Sequence, residues 1–304
     1  MLRNVLMIFL DGVGIGKNDP ERNPFVKFKY DFIDEYFGGF PTRRKSRISS
    51  KYFSLFPVNA TLGLPGLPQS GTGQTSIFCG VNAAKTIGQH FGPYPYSTLK
   101  PIIKDKNIFQ SLLEQDYRVN FANAYPQRFF DYIETGRKSL SVTTLSYLNA
   151  NQRLRSVEDV LEKKAITAEI TNQIWNEKLG YSLPIVSPQE AGKIFYDLGK
   201  PFHFNLFEYF LTDHAGHSQD FNFAYHVIRN FDGFMEGILS NFDYRKNLLL
   251  VISDHGNIED LSVKTHTRNS ALGIAVGKYH NRFAARIKSL NDVKRSIVSY
   301  INGK

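Results

Sequence analysis

The chain is poor in the features that would place it outside ordinary globular proteins. It has one cysteine, Cys79, so no intramolecular disulfide can form. It has no internal repeat and no low-complexity stretch. Its only N-terminal apolar run, Val5 to Leu10, is too short for a secretory signal core and far too short to span a membrane. No membrane segment is expected, and the protein is expected to be cytoplasmic. Nucleic-acid motifs are also missing. The net charge is +9, and the densest basic run is Arg43-Arg44-Lys45-Ser46-Arg47. That run lacks interleaved stacking aromatics, so it reads as a solvated loop and no nucleic-acid partner is expected. A positive field does suit a small phosphate-bearing substrate.

What is present is apolar and aromatic, with 25 Phe and 16 Tyr in 304 residues. A chain of this length buries a large core, as one big domain or two. Val5 to Leu10 is continuously apolar and stops at Asp11-Gly12, as a central parallel strand does. The turn Gly12-Val13-Gly14-Ile15-Gly16 lets the backbone pass close to whatever Asp11 binds. It is not a dinucleotide fingerprint, because its third glycine is misplaced and no helical pattern comes after it. Residues 17–68 read as irregular. Phe202 to Phe210 reads as a strand ending in a loop. Phe221 to Leu239 carries the apolar stripe of a helix covering a sheet. Asn247 to Ile252 and Ala271 to Val276 read as buried strands, and Leu290 to Ile301 as a closing helix. Between them, Tyr117 to Ala122 reads as a strand and Asn107 to Gln115 as a helix. Ser156 to Lys164 opens like a capping box, and helices are expected at Ala165 to Leu179 and Ser187 to Leu198. Strands alternating with helices at both ends predict an α/β fold, with a parallel-rich sheet covered on both faces. The core is expected from residues 1–88 and 201–304, with 89–200 inserted as a smaller α+β cap.

Three clusters of Asp and His carry the chemistry. Asp213 and His217 lie four apart in Leu-Thr-Asp-His-Ala-Gly-His, just past a strand. Asp254 and His255 come directly after the next strand, and His266 lies eleven residues further on. Carboxylates and imidazoles at strand ends point to a metal site, at the place where α/β sheets bind ligands. This donor mix suits zinc, manganese or iron better than magnesium or calcium. A separate stretch, Gln69-Ser70-Gly71-Thr72-Gly73-Gln74-Thr75, places hydroxyls before a short helix ending at Gly80. Free N–H groups and the positive helix end stabilise an anion at such a place.

In this order, the motifs resemble the alkaline phosphatase superfamily of metalloenzymes. The likeness is greatest to the branch containing cofactor-independent phosphoglycerate mutase and phosphopentomutase. Leu10-Asp11-Gly12-Val13-Gly14, Asp213 with His217, Asp254 to Asn257, and His266-Thr267 match that branch's ligand motifs. The resemblance implies two divalent metal ions, zinc or manganese, about 3.5–4 Å apart. Asp213, His217 and His266 would hold one, and Asp11, Asp254 and His255 the other. It also implies a nucleophile before the short helix. Ser70 has Gly80 at the family spacing, and Thr72 is the alternative. The helix is expected to start near Gly73, leaving the N–H of Gly71 or Thr72 for a phosphoryl oxygen. The implied activity is a phosphatase or phosphomutase acting on a small phosphate monoester through a phosphoserine. The alternatives are a phosphodiesterase of the same superfamily, or a non-catalytic metal-binding scaffold. The mutase's Asn-Ser-Glu and its arginine-rich substrate motif are absent. Gln74 stands where sulfatases carry arginine.

Overall fold

The computed structural model describes residues 3–136 and 139–304. Among the described residues, nine strands run in chain order: β1 (Asn4–Leu10), β2 (Ile48–Ser49), β3 (Phe53–Val58), β4 (Val119–Phe121), β5 (Asn123–Ala124), β6 (Ile166–Thr167), β7 (Phe204–Tyr209), β8 (Asn247–Ser253) and β9 (Ala271–Val276). Seven form the main sheet in the order β2-β3-β9-β8-β1-β7-β4. Strands β8, β1, β7 and β4 run parallel, whereas β9, β3 and β2 extend the sheet in antiparallel pairings. The α/β class is as expected.

β1 is apolar throughout because both of its faces are covered. Val5, Met7 and Phe9 pack on the side of the helix Ser70–Cys79, with Phe78, Phe109 and Ile297. Leu6, Ile8 and Leu10 face the opposite core, with Phe195, Ile228 and Phe234. The strand register aligns the carboxyl ends. Leu10 lies opposite both Tyr209 and Ser253, so three central strands end level at one edge. Among the described residues, no helix is long and apolar enough to cross a membrane.

Two local expectations need correcting. Residues 17–68 are not irregular throughout. β3 joins the main sheet, and Asp31–Phe37 is a helix whose Phe32 and Ile33 N–H groups donate to the Asp232 carboxylate. Pro57 disguises β3. It is tolerated because β2 pairs only at Ser54 and Leu55, leaving Pro57 without a neighbour on that side. Residues 165–179 are not one helix: β6 comes first, and the helix is Gln173–Leu179. Ile170 and Asn172 adopt positive φ, and the Glu169 carboxylate accepts from the Thr171 and Ile174 N–H groups, closing a turn before the helix begins.

Residues 89–200 contribute to the main sheet and its cores as well as to a smaller unit. β4 completes the sheet beside β7, and Ile103, Phe109 and Tyr147 share a core with Phe9. The helix Pro188–Gly199 places Phe195 against Phe207 and Phe234. A small independent core remains around β5 and β6, formed by Ala124, Val160, Ala165, Trp175 and Leu183. Asn123 ties this unit to the carboxyl end of β7, exchanging hydrogen bonds with the backbone of Glu208.

Candidate metal centre

The level strand ends bring the Asp/His clusters together. Asp11 comes directly after β1, and Asp254 and His255 directly after β8. After β7 the chain enters the helix Leu211–Ser218 rather than the expected loop. Asp213 and His217 therefore lie one helical turn apart on one face. Gly12, at φ 69°, passes so close to Asp213 that a Cβ there would lie 2.5 Å from its Oδ1.

Asp213, His217 and His266 converge. Asp213 Oδ2 is 3.2 Å from His217 Nε2, and Asp213 Oδ1 is 3.6 Å from His266 Nε2. The two imidazole Nε2 atoms are 3.2 Å apart. Each ring is oriented from behind: His217 Nδ1 meets Lys264 O and His266 Nδ1 meets Pro68 O, both at 2.7 Å. A carbonyl accepts from Nδ1–H, so both Nε2 atoms face the centre as bare lone pairs. Opposed lone pairs beside a carboxylate repel one another, and a cation resolves that.

The second group lies alongside. His255 Nε2 is 3.2 Å from Asp11 Oδ1 and 3.6 Å from Asp254 Oδ2. Both carboxylate oxygens are buried and meet no well-aligned hydrogen-bond donor among the described residues. Buried carboxylate oxygens normally accept hydrogen bonds or bind a cation. The donor set therefore fits a divalent metal on each side. Asp213 also groups with Asp11 and His255, so it lies between the two halves rather than in one alone. The His255 and His266 rings stack at 3.8 Å between centroids.

The charges are strained without a metal. Burial raises the pKa of Asp254 well above the ordinary carboxylate range, and the Asp11 charge adds to the rise. Burial also raises Asp11. His255 is disfavoured as a cation by burial, yet the Asp254 and Asp11 carboxylates overcome this and push it up to about 10. A proton on His255 thus supplies positive charge that a metal could supply instead. Burial and the neighbouring His255 push His266 down to about 4, which keeps it in the neutral form a ligand needs.

Ser70 is the first residue of the helix Ser70–Cys79, which begins three residues earlier than expected. Its Oγ lies 3.0 Å from His255 Nε2, at the second group. Thr72 is engaged elsewhere: its hydroxyl donates to Gln69 O at 3.1 Å and accepts from Phe91 N–H at 3.3 Å. The Thr72 N–H donates to Phe91 O, so it is not free for a phosphoryl oxygen. Gly71 N–H meets no acceptor among the described residues.

The supporting role of two further groups is not legible in the sequence. The Asn257 side-chain amide donates to Asp213 Oδ1 at 2.7 Å and to Asp213 O, which orients that carboxylate. Glu208, in β7, is buried and accepts from Thr143 Oγ1 at 2.7 Å. Burial, with a smaller contribution from the Asp11 charge, raises its pKa to about 7. A raised acid contributes stability below its unfolded pKa, near 4.5, and loses it as pH rises through 7. The metal-free protein should therefore lose more thermal stability between pH 5 and pH 8 than its Glu208→Gln variant. The difference should be on the order of 2–3 kcal/mol. Parallel thermal melts check it, and equal pH slopes would show that Glu208 ionises freely.

Comparison with known proteins gives a family-model match over part of the chain and several similar folds. The model of the Metalloenzyme superfamily matches residues 188–304, which include five of the six candidate ligand residues. No curated protein matches at sequence level. The fold is similar to that of the PH0037 protein from Pyrococcus horikoshii, with TM-score 0.60, 14% identity, and coverage of 100% of this chain and 98% of that one. It is also similar to alkaline phosphatase from the Antarctic bacterium TAB5, with TM-score 0.55, 11% identity, and coverage of 100% and 99%. A mutant of the TAB5 enzyme with Mg bound in its M3 site matches at TM-score 0.52 and 12% identity, covering 99% of both chains.

Proposed function

We propose that this protein is a two-metal phosphoryl-transfer enzyme, a reading supported by the match of residues 188–304 to the Metalloenzyme superfamily model and by a fold similar to that of alkaline phosphatase. Its substrate is a small phosphate monoester, and Ser70 is its nucleophile. One observation carries the reading. A helix-terminal serine hydroxyl stands 3.0 Å from His255 Nε2, beside carboxylate oxygens that are buried and meet no well-aligned hydrogen-bond donor among the described residues. Asp213, His217 and His266 would hold one ion, and Asp11, Asp254 and His255 the other, with zinc or manganese as the metal.

The bound ions would polarise the phosphoryl oxygens and lower the pKa of the serine hydroxyl. The chain's own residues do the rest. Ser70 Oγ attacks phosphorus, its proton passes to solvent, and the bond to the ester oxygen breaks. The electron pair leaves on that oxygen, which ends protonated. Gly71 N–H and the positive end of a ten-residue helix would stabilise the added charge of a phosphoryl group at Ser70. Water or a second hydroxyl then attacks the phosphoserine, releasing phosphate or a phosphorylated product and restoring Ser70. The +9 net charge favours the arrival of an anionic substrate.

The test is a metal-stripped sample given manganese or zinc with p-nitrophenyl phosphate, bis-p-nitrophenyl phosphate and a panel of sugar phosphates and phosphoglycerates. Released phosphate and isomerised product are both measured. Metal-dependent turnover of monoesters well above the diester is expected. Preference for the diester would make the protein a phosphodiesterase. Metal binding without turnover of any ester would make it a scaffold.

A further inference from the structure

Glu259 is not one of the proposed ligands, yet it is 1% exposed and its carboxylate is the most heavily engaged near the site. Oε2 accepts from Gly14 N–H at 2.9 Å and from Asn257 N–H at 2.7 Å. Oε1 accepts from the Thr267 hydroxyl and from Asn269 Nδ2 at 2.7 Å. These four donors lie on three separate segments, each carrying proposed ligands. Gly14 is three residues after Asp11, Asn257 two after His255, and Thr267 one after His266. Asn257 carries the connection to a fourth segment, because its own amide donates to Asp213. Arg43 adds an outer layer, its Nε donating to Asn269 Oδ1 at 2.6 Å. One member of the basic run is therefore tied to the site's frame rather than left solvated.

The loops are shaped to admit this carboxylate. A Cβ on Gly14 would lie 2.4 Å from Glu259 Oε1, and one on Gly256 would lie 2.3 Å from the same atom. Part of the glycine-rich turn after β1 thus leaves room for Glu259, in addition to any ligand of Asp11.

We propose that Glu259 is a positioning residue that sets the spacing of the metal-ligand segments, and so the metal affinity of the site. The proposal rests on the two-metal reading. All four partners donate, so the position calls for a group that only accepts. A carboxylate is such a group, whereas a glutamine would turn its NH2 toward two donors whichever way its amide were flipped. Losing this centre frees three ligand segments at once, while every ligand itself remains in place.

The experiment titrates the metal-stripped full chain with Mn2+ or Zn2+ against a chromophoric chelator, for wild type, Glu259→Gln and Thr267→Val. Melting of the metal-free proteins is measured in parallel. Glu259→Gln is expected to weaken metal binding roughly tenfold to a hundredfold, the usual effect of disturbing groups behind the ligands. Two ions should still bind at saturation, with turnover largely restored there. Thr267→Val removes one donor to Glu259, together with the acceptor of the Asn269 N–H, and should weaken binding less, in the same direction. It carries the test by itself if Glu259→Gln does not fold. Metal affinity at the wild-type level in the variant that folds, with only metal-free melting lowered, would overturn the proposal and leave Glu259 a purely structural residue. Wild type that binds no metal at all would overturn the two-metal reading and, with it, this inference. Wild type that binds two ions while both variants bind equally tightly would overturn the inference alone.

Discussion

Ser70→Ala is expected to lower turnover by several orders of magnitude while leaving metal binding intact. The serine hydroxyl sits at the start of a buried helix, 3.0 Å from His255 Nε2. No other hydroxyl of that turn is free to replace it. Thr72 is held between Gln69 O and Phe91 N–H, and Thr75 donates to Gly71 O at 2.6 Å. Ser70 is not the helix cap, since Gln69 precedes the first turn and makes no side-chain cap bond. Its removal should therefore cost little stability. Thr72→Ala behaves in the opposite way. It deletes the hydroxyl's hydrogen bond to Gln69 O and the one it accepts from Phe91 N–H, costing about 1 kcal/mol of stability, with a smaller loss of turnover. Trapping the phosphoenzyme by acid quench separates the two. If Ser70→Ala still became phosphorylated and Thr72→Ala did not, the nucleophile would be Thr72.

The sequence makes the site more legible than its support. Asp11, Asp254 and His255 are readable because a buried strand cannot end in charge without reason, and each comes after a continuous apolar run. Asp213 and His217 are readable as a pair, but their helix is not, because Gly216 speaks against one. The structure gives Gly216 a different role: a Cβ there would meet the Asn257 side chain at 2.5 Å. Glu208 is invisible in sequence. A single acidic residue in a strand ordinarily marks the solvent face, and its burial depends on Thr143, which lies 65 residues away. β3 is hidden by Pro57, which is acceptable only because β2 stops short of it. The packing of residues 89–200 is hidden for a related reason. Residues 89–200 differ in texture from the flanking chain, but texture does not show which apolar faces find partners. Phe109 and Phe195 find theirs in the two main cores.

The chain's response to losing Asp213 should be the largest change in metal content. Asp213 touches both halves of the centre: its Oδ2 faces His217, and it also groups with Asp11 and His255. His217 belongs to one half only. Asp213→Ala should therefore deplete both metals and abolish metal-dependent turnover, whereas His217→Ala should weaken one ion and spare the other. The fold should survive, because Gly12 packs directly against this carboxylate and truncation leaves space rather than a clash. Stability should move with an instructive sign. The Asp213 charge helps to raise the pKa of both Asp11 and Asp254, so it opposes their ionisation when no metal is bound. Metal-free Asp213→Ala should accordingly melt no lower than metal-free wild type above pH 7. Wild type should gain stability on adding manganese or zinc, as any ligand selective for the folded state requires. The variant should gain little. Metal analysis of dialysed protein, together with melts with and without added ions, measures both effects. Two ions bound at wild-type affinity in Asp213→Ala would remove Asp213 from the ligand set and leave His217 and His266 without a carboxylate between them.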